Sequence, residues 1–128
     1  MATTTKFNKA RGVGELTFTL TYSDSTAAEM FKLPANVRII DWIVNVTTAF
    51  SGGTTSLYVG TSATSTEIIN ALAVSSKGRA ALTTELALPC YEPTAMTSVY
   101  AKVGASNTAG AVKVTCLISL VEETFLGG

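Results

Sequence analysis

The 128-residue chain contains no histidine. That absence removes the usual general base at neutral pH, the commonest metal ligand and every Ser-His or Cys-His nucleophile pair. Cysteine is scarce as well: Cys90 and Cys116 stand alone, without the CxxC spacing of a zinc site or the density of a disulfide framework. Cys116 lies in an apolar alternation and reads as a small buried hydrophobe, while Cys90 follows Pro89 in a loop. Their spacing leaves free thiols and a bridge both open, and cytoplasmic synthesis favours the thiols. Asp24 and Asp41 are too far apart for a calcium loop. No GxGxxG or GxxxxGK[ST] loop occurs, since no helix pattern follows Gly12 and Gly14. Only 14% of residues are charged, nine basic against nine acidic. Nothing in that balance draws nucleic acid or an anionic membrane. No apolar run reaches the length of a membrane-spanning helix. The opening MATTTKFNKARGVG has no apolar stretch of a secretory signal. These absences leave no enzyme, no cofactor and no metal to argue for.

What is present is apolar residue in quantity, 47% of the chain, enough for one domain with a real core. A neutral, charge-poor surface opposes self-association only weakly, so burial of part of it in an oligomer or larger assembly is expected. There are about twenty threonines, a residue that favours strands while keeping an outer face wet.

The apolar pattern is one of period two. In ELTFTLTY, residues 15–22, Leu16, Phe18 and Leu20 alternate with threonines, as in a half-buried strand. The SDST turn follows, then a short strand from Ala28 to Leu33 that Pro34 ends. A long strand runs from Val37 onward, with Val37, Ile39 and Ile43 on one face and Ile40, Trp42, Val44 and Val46 on the other. Both faces are apolar, which implies a neighbour on each side. TTAFSGGTT reads as a turn in which Gly52-Gly53 closes a hairpin onto the strand Ser56 to Gly60. After a polar loop, Ile68 to Val74 reads as a short helix or an irregular loop. Ala80 to Leu88 and Thr97 to Val103 alternate again, the latter with Val99, Ala101 and Val103 inward and Tyr100 and Lys102 outward. GASNTAG should close a hairpin, and Ala111 to Val121 forms the last long strand, with Val112, Val114, Cys116, Ile118 and Leu120 inward. The whole predicts an all-β, antiparallel, jelly-roll-like β-sandwich of seven to eight strands with at most one short helix. Residues 1–14 are expected to form a flexible arm, 15–121 the domain and 122–128 a tail.

The stretch LPANVRIIDWIVNVTTAFSGGTTSLYVGTSA, from Leu33 to Ala63, resembles small virion proteins of tailed bacteriophages. The resemblance rests on a Leu-Pro strand break, a long hydrophobic strand ending VTTAF, a Gly-Gly turn and a short strand ending VGT. It is similar to capsid decoration (cement) proteins and related head-associated modules, and covers a quarter of the chain. What it implies is a β-sandwich or jelly roll, commonly trimeric, that binds outside the lattice of the major capsid protein and braces it. The location implied is the head surface of a virion, after synthesis in the host cytoplasm. Fibre modules of head or tail share similar local sequences, so a receptor- or glycan-binding module is the alternative. Under the cement reading the expected capsid contact is the N-terminal segment with Lys6, Lys9 and Arg11. The expected subunit contact in a homotrimer is Ile39, Asp41 and Ile43, with Trp42 left to the core. Tyr22, Tyr58, Tyr91 and Tyr100 are the aromatics that a sugar-binding surface would use.

Overall fold

The computed structural model describes residues 2–8, 13–34, 37–80 and 95–120. These form nine strands and no helix: β1 (Ala2–Asn8), β2 (Val13–Thr21), β3 (Ala28–Leu33), β4 (Val37–Ser51), β5 (Ser56–Gly60), β6 (Ile69–Ala73), β7 (Gly78–Ala80), β8 (Thr97–Val103) and β9 (Ala109–Leu120). Alternation of apolar and β-branched residues builds each strand, and two antiparallel sheets enclose one core. The five-stranded sheet has the order β1-β2-β9-β4-β7 and the four-stranded sheet the order β3-β8-β5-β6.

The pairings of β2 to β9 are nested in sequence. β2 pairs with β9, β3 with β8, β4 with β7 and β5 with β6. Such a chain is one long hairpin doubled over on itself; the further pairings of β9 with β4 and β8 with β5 seal the fold into a jelly roll. The sandwich expected from the sequence is therefore present, with jelly-roll strand order. Two expectations about neighbours are corrected. Gly52-Gly53 does not close a hairpin, because β4 and β5 lie in different sheets, and residues 104–108 likewise carry the chain from β8 in one sheet to β9 in the other. Strand β4 also runs further than the alternation suggests, to Ser51, and buries Phe50 inside what reads as a turn. The glycines serve as corners. A Cβ on Gly53 would strike the backbone of Ala105 and Ser106, and one on Gly110, at φ +143°, would strike the Phe50 ring.

The core lies between the sheets. Leu16, Phe18, Leu20, Trp42, Val44, Val112, Val114 and Cys116 come from one side, and Leu33, Leu57, Val59, Val99 and Val103 from the other, all fully or nearly fully buried. Phe18 and Phe31 meet across it with ring centroids 6.1 Å apart. Burying so many branched side chains at roughly 1.5–3 kcal/mol each is what holds the sheets face to face.

Ile68 to Val74 is not helical; its centre is strand β6. Between Leu57–Leu72 and Val59–Ile69 the pairing with β5 gains one residue on β6, a β-bulge. Ala71 takes up the extra residue at φ 59°. Ile69 and Leu72 then both face inward although they are three apart. In the segment expected to be a free arm, Ala2–Asn8 instead forms a strand paired along its length with β2. The part of the expected strand Ala80 to Leu88 beyond Ala80, the PCYEPTAM loop up to Thr94 with Cys90 and Tyr91, and the tail from residue 121 lie outside the described residues.

Candidate functional surfaces

The outer face of the five-stranded sheet is organised by a second bulge. Ile39 pairs with Ile118 and Asp41 with Leu117, so β4 carries one residue more than β9 at Ile40. The extra residue reverses the facing of everything after it. Val37 and Ile39 point inward before the bulge, and Trp42, Val44 and Val46 point inward after it; Arg38, Ile40 and Asp41 are exposed and Ile43 is half-buried. This corrects the assignment of Ile39. It is completely buried in the chain's own core and shares no surface with Asp41 and Ile43. Ile40, 42% exposed, stands in its place. Trp42 is in the core, as expected.

Asp41 holds the bulge in shape: its Oδ1 accepts the N–H of Trp42 at 2.8 Å. The sulfur of Cys116, opposite Trp42 in the ladder, is buried, and burial together with the nearby Asp41 charge pushes its thiol far above the usual range. Cys116 is therefore an inert neutral thiol. Around Ile43 the outer face carries Leu117, half-buried, and the pair Thr17 and Thr115, whose hydroxyls meet at 3.3 Å. The backbone of Lys6 in β1 pairs with Glu15 in β2. The Lys6 side chain, and Lys9 and Arg11 altogether, lie outside the described residues, and so does the expected basic contact.

The outer face of the four-stranded sheet is different in kind. Tyr58 on β5 pairs with Lys102 on β8, and Gly60 pairs with Tyr100. The Lys102 ammonium sits 5.5 Å from the centroid of the Tyr58 ring, a cation–π contact. Gly60 has a positional meaning. A Cβ there would occupy the site of the Ser65 carbonyl and lie 2.7 Å from Glu67 Oε1. The absent side chain lets residues 61–67 fold back onto the sheet beside the two tyrosines.

That loop is tied by Glu67. Its carboxylate accepts the Thr61 N–H at 2.9 Å and the Thr61 hydroxyl at 2.6 Å. Ser65 Oγ accepts the N–H groups of Thr61 and Ser62 at 3.1 and 2.9 Å. Burial raises the Glu67 pKa, but hydrogen bonds from the Thr61 and Ser65 hydroxyls and from the backbone outweigh it and bring the pKa down to about 2. Between loop and tyrosines lies a shallow groove enclosing about 220 Å³, counting space open to solvent. The sequence shows Tyr58 and Tyr100 as candidates but not the groove. Its only local sign is the run TSATSTE, whose hydroxyls and final carboxylate can bond their own backbone. Among the described residues no group of three potential metal ligands occurs.

No family model matches the chain, and no curated protein matches it. In fold it is similar to a chain of the cyanophage Pam1 capsid asymmetric unit, at 20% identity and a TM-score of 0.62 over 84% of this chain and 84% of that one. It is also similar to a chain of the acid-stable capsid of the Helicobacter pylori bacteriophage KHP30, at 16% identity and a TM-score of 0.66 over 94% of this chain and 95% of that one. At these identities the likeness is one of fold. Because the shares covered are nearly equal on both sides, the similar chains are of about this length.

Proposed function

We propose that this chain is a structural protein of a bacteriophage virion, a decoration (cement) protein that binds the outside of the head and stabilises the shell. The observation that carries the reading is the match of most of this chain to most of a chain of similar length in each of two phage capsids. It agrees with the resemblance of Leu33 to Ala63 to head-associated proteins, which was drawn from different information. The mechanism is adhesion. A protein that binds the assembled lattice and not its free subunits stabilises the lattice by mass action. Several linked copies, as in a homotrimer, convert weak contacts into a firm hold.

Support for self-association comes from the outer face of the five-stranded sheet. Ile40 is exposed there, Ile43 and Leu117 are only half-covered, Thr17 and Thr115 lie beside Ile43, and the charged Glu15, Arg38 and Asp41 stand around them. The subunit contact is proposed to centre on Asp41 and Ile43, with Ile40 and Leu117 beside them. Lys6, Lys9 and Arg11 are proposed as the contact to the major capsid protein.

The test is a particle lacking this protein. It should assemble, yet release DNA at lower temperature or on milder chelation than intact particles, and regain its resistance when the purified protein is added. Equal resistance with and without the protein, or a location on the tail alone, would refute the reading. Ile43→Asp should leave the fold intact while dissociating the oligomer in sedimentation, since a charge placed in the contact must be desolvated.

A further inference from the structure

We propose that the groove between Tyr58, Tyr100 and the 61–67 loop is a binding site for a neutral sugar residue. Three features argue for this ligand class. First, the groove joins two kinds of wall. Half-buried tyrosine rings form one side, and Ser62, Thr64 and Thr66 supply hydroxyls along the other. A pyranose has the matching pair of surfaces: C–H groups carrying slight positive charge suit the negative face of an aromatic ring, and its ring hydroxyls both donate to and accept from serine and threonine.

Second, the charges around the groove oppose one another. Lys102 lies at one margin; Glu29, which pairs with Tyr100 in the ladder, and Glu67 lie near the other. One ammonium against two carboxylates leaves a net negative charge, which disfavours an anionic ligand. With the ammonium placed over Tyr58, Tyr100 is the ring left to stack on a sugar, and Lys102 is placed to donate to one of its oxygens.

Third, the loop is already set in its shape. The bonds of Glu67 and Ser65 to Thr61 and Ser62, and of the Ile68 N–H to the Val59 carbonyl at 3.1 Å, hold both of its ends on the sheet. A wall that needs no ordering on binding loses less affinity to entropy. The shallowness of the groove fits one sugar residue resting on the surface and not an engulfed ligand.

The site does not depend on where the protein sits in a virion, since sugar binding belongs to the isolated chain and shell stabilisation to the particle. Failure of one is therefore read separately from failure of the other. The experiment is an amide chemical-shift titration of the full chain with methyl glucoside, methyl galactoside and methyl N-acetylglucosaminide, with N-acetylneuraminic acid alongside. At least one neutral glycoside should give saturable shifts confined to residues 58–67 and 100–102, with a millimolar dissociation constant. Tyr100→Ala should weaken this binding about tenfold, and Tyr100→Trp should keep it. Thr64→Val, on the exposed loop, should weaken it about threefold and serves if Tyr100→Ala does not fold. No saturable shift up to about 50 mM, shifts centred elsewhere, preference for the acidic sugar, or indifference to both substitutions would overturn the proposal.

Discussion

Two sets of loops in this jelly roll are built on glycines, and they are held in opposite ways. At one end of the sandwich the connections after β2, β4, β6 and β8 are bonded to one another. Thr54 N–H reaches the Ala105 carbonyl, Gly104 N–H the Ser56 carbonyl, Thr108 N–H the Ser51 carbonyl, and Val103 N–H the Asp24 carbonyl, all at 2.8 to 3.0 Å. Asn107, buried among them, donates to the carbonyls of Thr54 and Gly104 at 2.8 and 3.0 Å. The 61–67 loop makes its side-chain hydrogen bonds within itself and rests on the sheet at Gly60. A loop whose polar groups are used by other loops is part of the frame. One that satisfies itself keeps its outward hydroxyls for a ligand.

Substitutions can break this contrast, and their effects should descend in order. Gly104→Ala comes first. Its Cβ would fall on the Thr54 carbonyl oxygen and against the Cβ and Cγ2 of the same residue, and the carbonyl, as backbone, cannot swing away. A loss of about 3 kcal/mol is expected in denaturant unfolding, because relief requires two loops to separate. Asn107→Ala should follow, at about 2 kcal/mol, since one buried and one partly buried carbonyl lose their donor. Gly60→Ala should cost about 1 kcal/mol globally. Its amide shifts should stay local to residues 58–67, because only the self-contained loop has to lift. If Gly60→Ala proved as damaging as Gly104→Ala, the distinction between the two loop sets would fail.

Glu67 sharpens the contrast through pH, with the smallest effect. Its pKa is lowered from an ordinary 4.5 to about 2 in the folded protein. The unfolded chain therefore takes up the proton first, and the contribution of the carboxylate is complete above pH 4.5 and is lost as pH falls toward about 2. Glu67→Gln should remove that component: below pH 4.5 the wild type should lose stability more steeply than the variant, with the two curves converging near pH 2. Parallel curves would show that the Thr61 bonds do not matter to folding.

Much of the architecture was readable because strands repeat every two residues. Leu16, Phe18 and Leu20 on β2, Val99 to Val103 on β8 and Val112 to Ile118 on β9 face inward as alternation predicts. What was misread shares a cause. At Ile39 and Trp42, and again at Ile69 and Leu72, two core residues stand three apart because a bulge inserts a residue between them. In sequence that spacing is indistinguishable from a helical turn or a change of face. The same effect places Met30 and Phe31 side by side in the core, across the register shift in β3. Pairing partners were illegible for another reason. Gly52-Gly53 and residues 104–108 show where the chain turns, whereas which sheet it enters is decided by packing of the whole. The groove is not legible in the sequence because it depends on Gly60 and Tyr100 facing each other across two strands distant in sequence.

The nesting of the strands carries a consequence in time. β9 lies between β2 and β4, and its partners in β2 are about a hundred residues earlier: Thr17 bonds Thr115 across a separation of 98. The middle of the five-stranded sheet cannot exist until β9 has been synthesised, and until then β2 and β4 offer open edges to any other chain. So non-local a topology folds slowly, and during that interval the hydrophobic length of β4 is a hazard of aggregation in a crowded cell. A chain cut off before Ala109 should accordingly be found insoluble, not folded in part.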